Sequence, residues 1–221
     1  MISTVIKDRY EITELLGHGG QGSTYKAIDK GLAERSVALK IIPLHERMTN
    51  DPRAQEAYQR FKREAEVTAQ LNHPQIAQVF DYGIDEENHV AFMARQYLNG
   101  LTLQEHLKSE GPFSPEEGTG LVLSIAGVLE YLHEQGIVHR DIKPANVFLQ
   151  HGIPVLIDFG LSHHEDKTQV SRTGQLLGTY SYIAPELITK DTRDEYRYSP
   201  LLDWWGIRVC CIRVIHRGET D

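Results

Sequence analysis

The chain has 221 residues, enough for one large domain or two small lobes, each with its own core. It is 40% hydrophobic and 24% charged, an ordinary globular balance. Its net charge of -8 disfavours a nucleic-acid binder, which shows a basic face, while a local cluster of donors could still hold an anionic nucleotide. The two cysteines, Cys210 and Cys211, are adjacent and imply no disulfide framework. No signal-peptide pattern opens the chain and no stretch of about 18 apolar residues occurs, so the expectation is a cytoplasmic protein with no membrane segment. None of the eleven histidines falls in a metal-ligand pattern.

Residues 10–17 and 23–30 alternate in polarity around a glycine-rich turn and predict a hairpin. Residues 35–44 read as a third strand. A helix follows, capped by Asn50 or Asp51 with Pro52 in its first turn. Ala54, Ala57, Tyr58, Phe61, Ala65, Thr68 and Leu71 recur at helical spacing and predict one buried stripe. Residues 76–83 and 89–98 read as two more strands. Beyond residue 102 the pattern turns helical. Ser114 is a candidate N-cap, with Pro115 at the first position, Glu117 closing a capping box and Gly136 as the stop. Leu121, Val122, Ile125, Val128, Leu129 and Leu132 form that helix's apolar face. A mostly β lobe (1–96) thus precedes a mostly α lobe (97–221).

Gly17, Gly19 and Gly22 stand in G-x-G-x-x-G spacing. Bare backbone there could approach phosphate oxygens, although many glycine-rich hairpins are plain turns. A dinucleotide fingerprint is disfavoured because a strand, not a helix, follows. Lys40 lies on the third strand among Val37, Ala38, Leu39 and Ile41. A strand lysine is usually exposed, and gains meaning only beside an anion or carboxylate. Glu64 of the helix could supply one, with Glu66 facing water. Further on, Asp141 and Asn146 flank Pro144 in a loop, and a short strand ends at Asp158. A carboxylate plus an amide oxygen offers hard ligands for magnesium, and a second carboxylate could accept a hydroxyl proton. Lys143 could neutralise charge on a moving phosphoryl group.

In order along the chain, GHGGQG, VALK, HRDIKPAN, DFG and GTYSYIAPE resemble the motifs of a eukaryotic-type protein kinase domain, most like the bacterial serine/threonine kinases. The resemblance covers about residues 8–203. It implies an α+β, two-lobed fold: a β-rich N-lobe with one long helix and an incomplete helical C-lobe. It also implies ATP and Mg2+ as cofactors and a protein hydroxyl as phosphate acceptor. By resemblance, Gly17, Gly19 and Gly22 cover the phosphates, Lys40 holds them and pairs with Glu64, and Asp141 is the base. Lys143 contacts the γ-phosphate, and Asn146 and Asp158 bind magnesium. The adenine would lie between Ala38 and Phe148, near Leu16 and Thr24, along the backbone of Gln96–Leu98. Ser171 and Thr173 would be phosphorylated, in trans between copies, and read by Arg140. Asp203 would brace the catalytic loop, and Glu186 would pair with an arginine downstream.

Departures from the pattern are visible. Thr24 replaces the usual valine over the base. Counting back from YLNG puts Arg95 at the back of the base pocket, and a one-residue shift would put Ala94 or Met93 there. From about residue 206 the tail is aberrant: Arg208 and Arg213 interrupt an expected apolar helix and Gly206 stands out of place. A one-base shift in the encoding DNA near codon 205 would restore that helix. With the tail altered, the apolar face of the helix after Ser114 is expected to be partly uncovered. A truncated, impaired ATP-binding fragment is the alternative function, and a small-molecule phosphotransferase a more distant one.

Overall fold

The structure is a computed structural model describing residues 2–19, 22–44, 52–159 and 199–215. The chain divides into two compact units, Met1–Asn72 with Ala77–Leu98, and His73–Ile76 with Asn99–Asp221.

Among the described residues the first unit is a six-stranded antiparallel sheet and one helix. Its strands are β1 (Val5–Ile6), β2 (Tyr10–Gly19), β3 (Gly22–Asp29), β4 (Arg35–Pro43), β5 (Val79–Asp85) and β6 (Val90–Gln96), in the order β1-β2-β3-β4-β6-β5. Alternation along β4 gives the sheet two faces. Val37, Leu39 and Ile41 join Ile6, Tyr10, Ile12, Phe92 and Ala94 in one core. Each fully buried Leu, Ile or Phe there contributes about 1.5–3 kcal/mol of transfer free energy. The other face carries Ala38, Lys40 and Ile42, and against it packs α1 (Pro52–Ala69), which meets Val79, Ala91 and Met93 through Phe61 and Ala65.

The expected helix stripe is corrected at one place. Phe61, Ala65, Thr68 and Leu71 are buried and Tyr58 is half-buried, but Ala57 is exposed. A lone methyl adds little to a stripe whose contact surface is made by Tyr58 and Phe61. The side chain of Ala54 lies outside the described residues. β5 begins later than the apolar run predicts, because Ile76 belongs to the second unit and forms an isolated parallel bridge with Leu156 there. At a corner of the sheet the buried Asp29 accepts from Arg9 Nε (2.6 Å) and Nη2 (3.0 Å), from Arg35 Nε (3.3 Å) and from the Gly31 amide (3.1 Å).

The second unit holds a three-stranded sheet, β7 (Leu101–Thr102), β8 (Val147–Gln150) and β9 (Ile153–Leu156), and the helices α2 (Leu103–Ser109), α3 (Pro115–Glu134) and α4 (Leu201–Ile215). The capping box at Ser114 and Glu117 forms as the sequence predicts, and Gly136 takes φ +70° just beyond the helix. A second box, Thr102 with Glu105, starts α2.

Two expectations about the tail are corrected. α4 is one uninterrupted helix, because Leu202, Asp203, Gly206, Ile207, Cys210 and Val214 fall on its buried face while Arg208 and Arg213 fall on the exposed one. Of the apolar face of α3, Leu121, Ile125, Val128, Leu129 and Leu132 are buried and Val122 is half-buried, so the face is covered except at its margin. Gly118 lies so close to α4 that a Cβ would sit 3.0 Å from Val214 and 2.9 Å from Ile215.

Candidate active-site residues

In the first unit the glycine-rich hairpin is the turn from β2 into β3, with Gly19 opposite Gly22. Gly22 has φ +112°, and a Cβ there would stand 2.3 Å from the carbonyl oxygen of Ile41. Glycine is therefore demanded by the fold at this position. At Gly17 and Gly19 a Cβ would meet nothing within 4 Å, so their bare backbone faces open space. Leu16 is exposed and Thr24 half-buried.

Register fixes what shares a face with Lys40. Thr24 pairs with Lys40 and Lys40 with Met93, while Ala38 pairs with Arg95 and Leu39 with Ala94. Directly paired residues point to the same side. Arg95 and Met93 thus lie on the Lys40 face, and Ala94 lies in the opposite core. Lys40 and Glu64 are 6% and 2% exposed, and Lys40 Nζ donates to Glu64 Oε1 at 2.8 Å. The turn of α1 that buries Glu64 leaves Glu66 outside, 3.6 Å from Lys62. Gln96 ends β6 half-buried, and Leu98 beyond it is buried.

In the second unit the loop after α3 gathers the other groups. Asp141 Oδ2 accepts from Lys143 Nζ (2.7 Å) and from Asn146 Nδ2 (2.9 Å), and Asn146 Nδ2 also reaches the Asp141 carbonyl (2.9 Å). With its amino group committed to Asp141, Asn146 turns its Oδ1 the other way. The loop is held from below by Asp203 of α4, which is fully buried. Its carboxylate accepts from the amides of His139 (2.8 Å) and Arg140 (2.7 Å) and meets His133 Nε2 at 2.9 Å. Arg140 sits at φ +68°, a conformation a non-glycine residue keeps only when its surroundings impose it. The carboxylate clasping two successive amides imposes it here.

His139 is fully buried, with its ring 4.7 Å from that of Phe159. The Asp141 amide donates to its Nδ1 (3.3 Å), so the proton of the neutral ring is on Nε2. Burial pushes the imidazole below its ordinary 6.5, against the opposing pull of Asp203 and Asp141. Asp158 follows β9 with φ +48°, and Phe148 of β8 is half-buried.

The structure thus brings Lys40 to Glu64, and Asp141 to Lys143 and Asn146. It also assigns work to two residues that sequence reasoning missed. His133 backs Asp203, and His139 holds the Asp141 amide. Nothing in the spacing or the neighbours of these two histidines sets them apart in the sequence. Ser171, Thr173, Glu186 and the GTYSYIAPE segment lie outside the described residues. Among the described residues no group of three or more His, Cys, Asp or Glu side chains gathers as for a metal, and no helix is long and apolar enough to cross a membrane.

An antiparallel sheet bearing a lysine–glutamate pair with the helix packed on it, joined in sequence to a helical unit with an aspartate–lysine–asparagine loop, defines the class of two-lobed kinase folds. Comparison with known proteins agrees. The family model described as protein kinase domain matches residues 10–219, and the chain belongs to that family. It is 34% identical over 187 residues to the serine/threonine-protein kinase PrkC of Bacillus subtilis, covering 84% of this chain and 28% of that protein. To the serine/threonine-protein kinase PknB of Mycobacterium leprae it is 35% identical over 193 residues, covering 86% of this chain and 30% of that one. The chain therefore spans less than a third of the length of these relatives. The solved structure of Rad53 in complex with AMP-PNP superposes with a TM-score of 0.71 at 25% identity, over 96% of this chain and 51% of that one.

Proposed function

We propose that this chain is a serine/threonine protein kinase, moving the γ-phosphate of ATP to a protein hydroxyl. The observation that carries the proposal is the buried Lys40–Glu64 pair. A buried ion pair seldom improves stability over apolar packing, so its retention asks for a purpose. A lysine held in this way presents one fixed positive charge to a polyphosphate. The similarity to a kinase solved with AMP-PNP supports the choice of nucleotide.

In this reading the open backbone at Gly17 and Gly19 covers phosphate oxygens, and the base rests on Ala38, with Leu16, Thr24 and Phe148 beside it and the backbone of Gln96–Leu98 at its edge. Asp141 orients the acceptor hydroxyl and takes its proton. Its Oδ2 is fixed by Lys143 and Asn146, so the carboxylate is set before the substrate arrives. Lys143 offsets charge on the moving phosphoryl group. The residues fit magnesium: Asn146 Oδ1 and the Asp158 carboxylate are hard oxygen donors, and the amide is turned so that its oxygen points away from Asp141. Bound there, the ion would offset phosphate charge. The protein acceptor, and trans-phosphorylation at Ser171 or Thr173 read by Arg140, belong to the same proposal.

The test is transfer of labelled γ-phosphate to a generic basic protein. Asp158→Ala and Asp141→Asn are each expected to lower the rate at least about a hundredfold, the usual effect of removing one charge-stabilising or base group. Nucleotide binding by the unaltered chain without any transfer would overturn the reading.

A further inference from the structure

The buried side of α4 runs from Leu202 to Val214, and the opposite side carries Leu201, Trp204, Arg208 and Ile212. These four recur at spacings of three, four and four residues, so they stand in one line along the helix. The apolar members are far from covered: Leu201 is 54%, Trp204 41% and Ile212 52% exposed. A continuous apolar stripe left in this state marks an interaction surface.

The order of residue types in the line says what meets it. At about 1.5 Å of rise per residue, Leu201 and Ile212 lie about 16 Å apart, with Trp204 and Arg208 on either side of the midpoint. Turned end for end, the line matches itself: apolar end on apolar end, guanidinium on indole, indole on guanidinium. Complementarity of a surface to its own reverse is the property of a two-fold contact between identical chains. Indole is the best aromatic partner of a cation, and a guanidinium is planar, with two faces. Arg208 lays one face over Trp205 of its own helix, its Cζ 5.2 Å from the ring centroid, which leaves the other for an indole from outside. Two chains of net charge -8 repel one another. The only carboxylate of α4, Asp203, is fully buried, so the stripe brings no acid of its own into the contact. We propose that two copies of this chain pair through α4, antiparallel, with Leu201 against Ile212 and Trp204 against Arg208 across a two-fold axis. One helix stripe is a small interface, so the pairing is weak, with a dissociation constant of about 10–100 μM. Transfer in trans, part of the function proposed above, needs two copies to meet, and a weak self-pairing surface supplies the encounter.

The experiment is sedimentation equilibrium of the whole chain at concentrations spanning that constant. It compares the unaltered chain, Leu201→Glu, Ile212→Lys and an equimolar mixture of the two variants. Either variant alone is expected to pair at least about tenfold more weakly, because each change occurs twice in a two-fold contact. The mixture is expected to recover to within about threefold of the unaltered chain, since the antiparallel register sets the new carboxylate against the new ammonium. On the unaltered chain, quenching of tryptophan fluorescence by acrylamide is expected to fall as concentration rises through the same range, a readout that needs no variant. A chain that stays monomeric throughout overturns the inference and leaves the face to another segment of the chain or to a different protein. Pairing indifferent to both variants, a mixture no better than its components, or quenching independent of concentration overturns it as well. None of these readouts involves nucleotide, so the kinase reading stands or falls separately on phosphate transfer.

Discussion

Lys40 and Glu64 test whether a residue pair serves the fold or the chemistry. Glu64→Gln leaves an ammonium buried against a neutral amide, and breaking a buried pair in this way costs about 3–5 kcal/mol. The double variant Lys40→Met, Glu64→Gln leaves no buried charge at the pair, and is expected to recover most of that stability. Transfer activity is expected to stay lost in both variants. Urea titrations of the single and double variants, beside the phosphate-transfer assay, give the answer: activity returning along with stability would show that the pair acts only in folding. Both residues were named beforehand, because Glu64 could face the sheet and the resemblance to kinases pairs it with Lys40. His133 and His139 were not. Each works through a contact to Asp203 or to a backbone amide of the loop, and no local rule of periodicity or turn chemistry reports such contacts.

The ends of α3 were the most legible feature, because the signals lie within four residues of one another, whereas the caps expected at Asn50 or Asp51 lie outside the described residues. Ser114, Pro115, Glu117 and Gly136 do what their positions predict. Glu117 is held below its ordinary carboxylate range by hydrogen bonds from the Ser114 hydroxyl and amide. Ser114→Ala is expected to lower stability by about 1 kcal/mol, read as a shift in the denaturant midpoint at constant slope. α4 was misread for a complementary reason. Two arginines in an apolar run break a helix only if they face inward, and inward is set by what the helix packs on. Gly206 shows the same dependence. Out of place in a linear comparison, it lies where α4 meets the catalytic loop, and a Cβ there would stand 2.7 Å from Ile142 Cβ and 2.8 Å from its carbonyl oxygen. Backbone cannot yield as a flexible side chain tip does. Gly206→Ala is therefore expected to push α4 from the loop, loosen the hold of Asp203 on the His139 and Arg140 amides, and lower kcat more than KM. Faster hydrogen exchange at those two amides would be its signature, and unchanged exchange with full activity would refute the close approach.

At the scale of the whole molecule, the two units carry buried ionisable groups that respond to acid in different windows. In the second unit, the buried His139 binds its proton less readily in the fold than in the unfolded chain. The unfolded state then holds more protons below pH 6.5, so stability is full above that value and falls as the pH drops below it. The slope approaches about 1.4 kcal/mol per pH unit for one proton. Protonation also takes the Nδ1 lone pair from the Asp141 amide, so the loop loses a tether as the unit weakens. In the first unit, Asp29 is held below its ordinary 3.8, chiefly by the Arg9 hydrogen bonds working against burial. Its contribution is complete above pH 3.8 and disappears as the pH falls through the depressed value. Acid should therefore weaken the chain in two steps, the catalytic-loop unit from just under neutrality and the sheet unit only below about pH 4. Hydrogen exchange followed by unit separates them. His139→Phe is expected to abolish the first step and spare the second, and Asp29→Asn to shrink the second, to which Asp85 also contributes, and spare the first. If both units lose protection in one window, or if either variant flattens both steps, these two residues do not set the acid limits of the fold.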